Sequence, residues 1–438
     1  MEGVEELPTM TQATLLDVVK DCDNFPYPYR PHLHKSNTVS RATTACCSRS
    51  QSRATSIAPG SSPNPSSPPS GPSTASGPST ATNLENQKPA PDCPDPYSHI
   101  LSHLWTFHLP YDPCAHGLIP YHIVSHLRSH QLWTEHFSLD LHSKTIDLLR
   151  PSLHDLLPQD NGDWQVACSR ILDEQIELWR RESALAKDIL GPRKKGEQFP
   201  IVGAKFDVGV DRSAIGLLGM IGRGAHMTVY SRRVFSSSTS SMSDGDGQSP
   251  TGQDFLFWIP RRDRTKSTYP GKLDQAVAGG VARGETPWEC IIREAVEEAG
   301  SALTDEFVRS HAKPAGTVTW LNISDSRAGQ GQEGLINPGV LYVYDLELPD
   351  EGFIFPFQPV PGDIESWMIM DTAQVMAAMK RFEFKPSSAM VMIDFLVRHG
   401  VITEENEADY VEIVSRLHRL LPLPTNSRRE WQKEVTAN

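Results

Sequence analysis

The sequence predicts an α/β sandwich, a mixed sheet with helices on both faces, carried behind a helix-rich α+β domain that a polar insert interrupts. Three observations lead there. Helical and strand patterns alternate from residue 206 to 400, as layered α/β units do. Two polar stretches, 37–94 and 236–253, break the apolar pattern without ending it. A run of helical periodicities from 97 to 194 forms a separate block ahead of the alternating part.

Taken in order, residues 9–20 (TMTQATLLDVVK) place Leu15, Leu16, Val18 and Val19 at helical spacing. This helix is assigned to the N-terminal domain, residues 1–36 and 95–205. From residue 37 to 84 there is no acidic residue, and SSPNPSSPPSGPSTASGPSTAT buries too little apolar surface to offset the entropy of ordering it. Disorder is expected over 37–94. SHILSHLWTF, PYHIVSHLRSH, SKTIDLLRPSLHDLL and ACSRILDEQIELWRRESALAKDIL read as largely helical, with strands at the apolar pieces between them.

The second unit is expected over 206–400. Residues 202–206 and 216–235 read as β, and the polar 236–253 reads as a disordered hairpin loop before FLFWIP. GVLYVYDLEL and IESWMIM read as strands, a helix opens at Asp371, and 387–399 reads as a buried helix stopped by Gly400. ADYVEIVSRLHRLL makes an amphipathic helix in the tail, 401–438.

Composition narrows the function. With 41 basic and 54 acidic residues the net charge is -13, which argues against nucleic acid and anionic membranes as partners. A phosphorylated small molecule remains open if cations gather at its site. Seven scattered cysteines fit a reducing compartment. No window approaches the ~18 apolar residues of a membrane span, and MEGVEELPTM lacks the apolar segment of a signal peptide. The expectation is a cytoplasmic protein, with a mitochondrial address left open by the Arg- and Ser-bearing insert.

The chemistry concentrates in GGVARGETPWECIIREAVEEAG, residues 279–300. Thr286 suits an N-cap, Pro287 the first helical position, Glu289 a capping box and Gly300 the end of the helix. Trp288, Ile291, Ile292, Ala295 and Ala299 share an apolar face; Glu294, Glu297 and Glu298 leave from the other, with Arg293 beside them. Like charges at i,i+4 weaken a helix by a few tenths of a kcal/mol. A solvated acidic face would explain the charges alone. It would not explain the two glycines, Glu285 and Arg293 around them. A hard divalent cation would cancel the repulsion, and Mg²⁺ prefers such oxygen ligands.

This segment resembles the Nudix box: Gly279, five residues, Glu285, seven residues, then Arg293-Glu294-Ala295-Val296-Glu297-Glu298-Ala299-Gly300. Ser301 departs from the aliphatic residue usual there. The resemblance implies a Nudix α/β/α sandwich and a Mg²⁺- or Mn²⁺-dependent diphosphate hydrolase. It implies that Glu294, Glu297 and Glu298 bind the metal with the Gly279 carbonyl, and that Glu285 pairs with Arg293. Arg261, Arg262 and Lys266, at the end of FLFWIPRRDRTK, are candidates to hold the diphosphate. The base that activates water is expected at Glu298, Glu294 or Glu365 of GDIESW.

The wider chain resembles Nudix hydrolases that carry an N-terminal domain related to thiamine pyrophosphokinase. LYVYDLELP, GDIESW, FKPSSAMVMIDFLVRHGVIT and DYVEIVSRLHRLLP carry that likeness. It implies hydrolysis of thiamine diphosphate, or of damaged forms such as oxo- and oxythiamine diphosphate, to the monophosphate. ADP-ribose or another nucleoside diphosphate derivative is the alternative substrate, and a non-catalytic diphosphate sensor a third reading. Isopentenyl-diphosphate isomerases share the fold, but resemble a Cys and His arrangement that LDQAVAGG lacks. The N-terminal domain is expected to shape the pocket or to drive homodimerisation. Histidines at i,i+4 steps (His99/His103 and His122/His126/His130) suggest a second metal site only weakly, since no further ligand accompanies them.

Overall fold

The computed structural model describes residues 13–27, 100, 102–191, 198–233, 254–299, 303–348 and 357–426. The expected 37–94 insert, the 236–253 loop and Gly300 lie outside them. Helix α1 (Leu15–Cys22) opens on a capping box in which Thr14 Oγ1 accepts from Asp17 N at 3.1 Å and Asp17 accepts from Thr14 N at 2.9 Å. The sequence assigned α1 to the N-terminal domain. It packs instead into the core of the second sheet, with the last helices of the chain. Its charge partners explain this: buried Asp23, just after the helix, accepts from Arg419 at 3.0 Å and from Leu321 N at 3.0 Å.

The N-terminal core holds β1 (Leu104–His108), β2 (Ala115–Pro120), α2 (Tyr121–Ser129), β3 (Phe137–Asp140), β4 (Thr145–Leu148), α3 (Trp164–Glu182) and α4 (Ala184–Leu190). Its four strands run in the order β2-β1-β4-β3. This is more β than the helical reading of SHLWTF and KTIDLL. Both stretches are rich in aromatic and β-branched residues that suit a half-buried pleat, and burial along β4 alternates. Phe107, Ile119, Ile146 and Trp179 fill the core, and the indole N–H of Trp179 is satisfied by Leu132 O at 2.8 Å.

A short hairpin of β5 (Gln198–Pro200) and β6 (Gly209–Asp211), then α5 (Ala214–Leu217), lead onward. Residues 202–206, read as β, form the turn between those strands, and 216–217 belong to α5. The longer strand starts only at Gly222.

The second sheet contains β7 (Gly222–Arg233), β8 (Asp254–Arg262), β9 (Val277–Gly280), β10 (Ala312–Ile323), β11 (Ile336–Glu347) and β12 (Ile364–Asp371). Their order is β10-β11-β7-β8-β12, with β9 also paired to β7. The β11–β7 pair is parallel and the others antiparallel, so the sheet is mixed. Period-2 alternation sorts the two faces. Ala225, Met227 and Val229 pack with α6 (Pro287–Ala299) and the segment leading into α7 (Asp305–His311). Tyr230, Phe255 and Phe257 pack with α1, α8 (Thr372–Lys380), α9 (Pro386–Arg398) and α10 (Tyr410–Leu417). The result is the predicted sandwich, with α6 on one face. Asp371 caps α8 by a reciprocal box with Gln374, and Gly400, at φ 69°, follows α9 where a left-handed residue is needed.

Candidate active site

The site begins with how α6 is held. Thr286 N donates to Glu289 Oε2 at 2.8 Å and Glu289 N donates to Thr286 Oγ1 at 3.2 Å, which fixes the helix start. Cys290, Ile291 and Ala295 are fully buried beneath it, so the helix cannot roll. Burial pushes the Cys290 thiol up to about 12, an inert packing group. The opposite side brings Glu294, Glu297 and Glu298 to one cavity of about 580 Å³.

Gly279 and Gly280 approach from β9. A Cβ at Gly279 would lie 2.0 Å from the Glu294 carboxyl carbon, and one at Gly280 2.3 Å from the ring tip of Phe199. Side chains other than hydrogen are therefore excluded where the strand meets the helix. Arg293 ties the loop to the helix. Its Nε donates to Glu285 Oε1 at 2.8 Å, its Nη2 to Glu285 Oε2 at 3.1 Å, and its Nη1 to Glu294 Oε1 at 2.7 Å and Glu297 Oε2 at 3.3 Å. Glu298 instead accepts from Ala278 N at 2.9 Å.

Burial raises the Glu294 carboxyl despite Arg293. Burial, then the neighbouring Glu294 charge, push the Glu298 carboxyl up to about 8. That is the electrostatic signature of carboxylates crowded in a cleft.

The other predicted residues divide. Lys266 and Arg262 line the cavity. Lys266 pairs there with Asp363. Arg262 is already committed, donating to Asp274 at 2.7 Å and to the carbonyls of Tyr269 and Thr268. Arg261 is not at the cavity wall; its guanidinium donates to Gly271 O at 2.8 Å. Adjacent residues of a strand point to opposite faces, which takes the Arg261 and Arg262 guanidiniums to different partners. Glu365 also stands off the cavity wall, paired with exposed Arg264 at 3.2 Å, and two residues earlier Asp363 takes the place at the wall.

Several lining residues escaped the sequence reading: Arg223 and His226 of β7, Arg212, Lys385 and Asn322. Arg223, flanked by glycines in MIGRGAH, carried the clearest overlooked signal, a cation in a strand with room beside it. Its guanidinium lies 5.4 Å from the Tyr342 ring. His226 is buried, and burial, with Lys385, drops its imidazole to about 3, so it stays neutral. The histidine pattern on α2 builds no metal site: His126 shares a hydrogen bond with Ser183 at 3.1 Å, and no three His, Cys, Asp or Glu groups among the described residues converge on one point.

That last finding covers the glutamates too. Arg293 draws Glu294 and Glu297 toward itself while Ala278 holds Glu298, which spreads the three carboxylates. By donor type they fit a hard divalent cation: three carboxylates and a glycine carbonyl at a position no side chain can enter.

Comparison with known proteins places the chain in a family. A family model described as NUDIX domain matches residues 244–390. The chain is similar to an uncharacterized protein of Saccharomyces cerevisiae, 35% identical over 256 residues that span 57% of this chain and 68% of that one. It is similar to Nudix hydrolase 20, chloroplastic, of Arabidopsis thaliana, 30% identical over 293 residues, 63% of this chain and 69% of that one. A crystal structure of a Deinococcus radiodurans protein aligns at 21% identity over 45% of this chain and 83% of that one, with a TM-score of 0.21. The chain belongs to the Nudix hydrolase family, enzymes that cleave phosphoanhydride bonds and in general use divalent metals such as Mg²⁺ or Mn²⁺.

Proposed function

We propose that the chain hydrolyses the diphosphate of thiamine diphosphate-like compounds to the monophosphate, with Glu294, Glu297, Glu298 and the Gly279 carbonyl holding Mg²⁺ or Mn²⁺. The observation that carries the hydrolase site is that the three glutamates and Gly279 line one cavity that also holds Arg223 and Lys266. The thiamine-type substrate rests on the resemblance of the flanking segments, and more loosely of residues 97–200, to Nudix hydrolases that carry a domain related to thiamine pyrophosphokinase. Localisation is proposed as cytoplasmic; among the described residues no helix is long and apolar enough to cross a membrane.

Bound divalent metal supplies charge neutralisation of the diphosphate and a more acidic water. Around it, Lys266 would meet the phosphates as a point charge and Arg223 as a planar fork of donors. Glu298, held at the cavity wall by Ala278 N, is the group we assign to take a proton from the attacking water, a role that requires its ionised form. Glu365 is set aside for that role by its place beside Arg264. Arg293 and Glu285 act as positioning residues that keep the β9 loop against α6.

The test is phosphate and monophosphate release from thiamine diphosphate, oxythiamine diphosphate, ADP-ribose and a dinucleotide polyphosphate, each with Mg²⁺ and with chelator. Preference for the thiamine compounds supports the proposal. Preference for ADP-ribose keeps the site and replaces the substrate with a nucleoside diphosphate derivative. Metal-independent release, or none, would count against the assigned glutamates.

A further inference from the structure

Opposite the glutamates the cavity ends against the β10–β11–β7 face, and the residues there are of a different kind. Trp320 of β10 stands beside Gly339 of β11, which stands beside Gly222 of β7. Two rungs further along, Asn322 pairs with Asn337. On the other side of the tryptophan rung, Leu341 lies beside Gly224. The indole rests on bare backbone: a Cβ at Gly339 would come within 2.1 Å of it. A Cβ at Gly222, by contrast, would meet nothing closer than 3.9 Å. The two glycines thus do different things. Gly339 seats the tryptophan, and Gly222 leaves a trough open next to it.

Beside the indole the cavity wall leaves a buried amide oxygen unmet, as it leaves Arg223 Nε and His226 Nδ1 on β7 without a partner among the described residues. Asn322 is 7% exposed, yet its Oδ1 is buried without a hydrogen-bond partner among the described residues. An unpaired buried amide oxygen is costly, and such groups call for a partner. Trp320, Asn322, Gly222 and Leu341 all line the cavity that contains Glu294 and Glu298. A flat aromatic wall, an open floor and a buried amide oxygen beside them together suit a planar ring that carries an N–H group.

We infer that Trp320, Asn322 and the trough over Gly222 form a subsite for the planar amino-bearing heterocycle of the substrate, whose amine donates to Asn322 Oδ1 while its face lies on the indole. The inference rests on the hydrolase reading of this cavity and deepens it. An aminopyrimidine and an adenine both offer this chemistry. An asparagine amide can turn over and donate through Nδ2, so an oxo-substituted ring is tolerated as well, whereas an aspartate at the same place would accept only.

Binding of monophosphates tests this without need of turnover. The full-length protein is titrated calorimetrically with thiamine monophosphate and AMP, which carry the amine, and with oxythiamine monophosphate and IMP, which carry oxo groups instead. The wild type is expected to bind at least one amino compound, and whether the pyrimidine or the purine binds identifies the source of the ring. Asn322→Asp, nearly isosteric, is expected to raise the amino-to-oxo affinity ratio about tenfold; the ratio cancels the general repulsion of phosphate by the new charge. Gly222→Val, whose Cβ meets nothing closer than 3.9 Å and whose methyl groups narrow the trough, is expected to weaken all ring compounds about tenfold or more. An unchanged ratio in a folded Asn322→Asp, unweakened binding in Gly222→Val, or no ring binding by the wild type would each overturn the subsite. Absence of hydrolysis would instead sink the enzyme reading and leave these binding results intact.

Discussion

Arg293 grips Glu285 through two hydrogen bonds, 2.8 and 3.1 Å, across eight residues that include the turn from strand to helix. A fork of this kind fixes direction as well as distance, which a lysine ammonium does not. The Arg293 side chain is 38% exposed, so the pair contributes modestly to stability after solvent screening, about 1 kcal/mol. Arg293→Lys should therefore lower the melting temperature by only a few degrees while reducing kcat at least tenfold. Steady-state kinetics beside thermal unfolding check this; equal losses in stability and kcat/KM, accounted for by unfolding, would remove the positioning role.

Glu298→Gln keeps the shape of the side chain and ends its ability to take a proton or to ligate as an anion. Turnover should fall a hundredfold or more, with the circular dichroism spectrum unchanged. Retained metal-dependent activity in this variant would falsify the assignment of Glu298.

Gly279 and Gly280 are adjacent but should not respond alike to substitution. A methyl group at Gly279 strikes the Glu294 carboxylate at 2.0 Å, whereas at Gly280 it strikes the tip of the Phe199 ring at 2.3 Å. Gly279→Ala should thus abolish turnover by displacing Glu294, and Gly280→Ala should chiefly raise KM by shifting Phe199. Kinetics of both variants, with a metal titration by calorimetry, separate the two; matching kcat losses would mean that both positions serve only the backbone.

The difference between these residues also marks how far the sequence could be read. The spacing of Glu285, Arg293 and the three glutamates was visible because a helix presents i and i+4 on one side, and the loop–helix pair needs no distant information. Arg261 and Glu365 were misplaced because strand pairing, not local spacing, decides which alternate side chains face the cavity. Helix α1 was given to the wrong core for a similar reason: its partners Arg419 and Leu321 lie about 300 to 400 residues away in sequence. Trp320, Asn322 and Leu341 come together only through the β10–β11–β7 register, which no short motif records.

Beneath the cavity, burial alone would raise the Asp274 carboxyl, but Lys385 at 3.7 Å and Arg262 at 2.7 Å hold it well below the ordinary range. A carboxyl depressed in the folded state stabilises fully above its unfolded value, near pH 4, and that stabilisation fades as pH falls toward the folded value. Asp274→Asn leaves two cations facing an uncharged amide and should cost about 3 kcal/mol at pH 7. The difference from wild type should be constant from pH 7 to about 5 and shrink below about 4. Urea unfolding across this range measures it; a gap that widens in acid would contradict the ion-pair account.

Arg283, between Gly279 and Glu285, reaches the other way. It donates to Asp207 at 3.1 Å, to Gln198 at 2.9 Å and to Ser169 at 3.3 Å, so one loop is bonded both to α6 and to the β5–β6 region. Phe199 of that region lies on Gly280 with Arg212 5.4 Å from its ring, and both line the cavity. If the N-terminal core shapes the pocket through this contact, cutting it should affect substrate binding before chemistry. Arg283→Ala is expected to raise KM several-fold with kcat nearly retained, and to speed amide exchange at residues 198–209 while α6 stays protected. The Glu285–Arg293 fork explains why α6 would hold: it anchors the helix end independently of Arg283. Loss of kcat with KM unchanged would show instead that Arg283 serves the glutamates, and that the pocket wall stands without it.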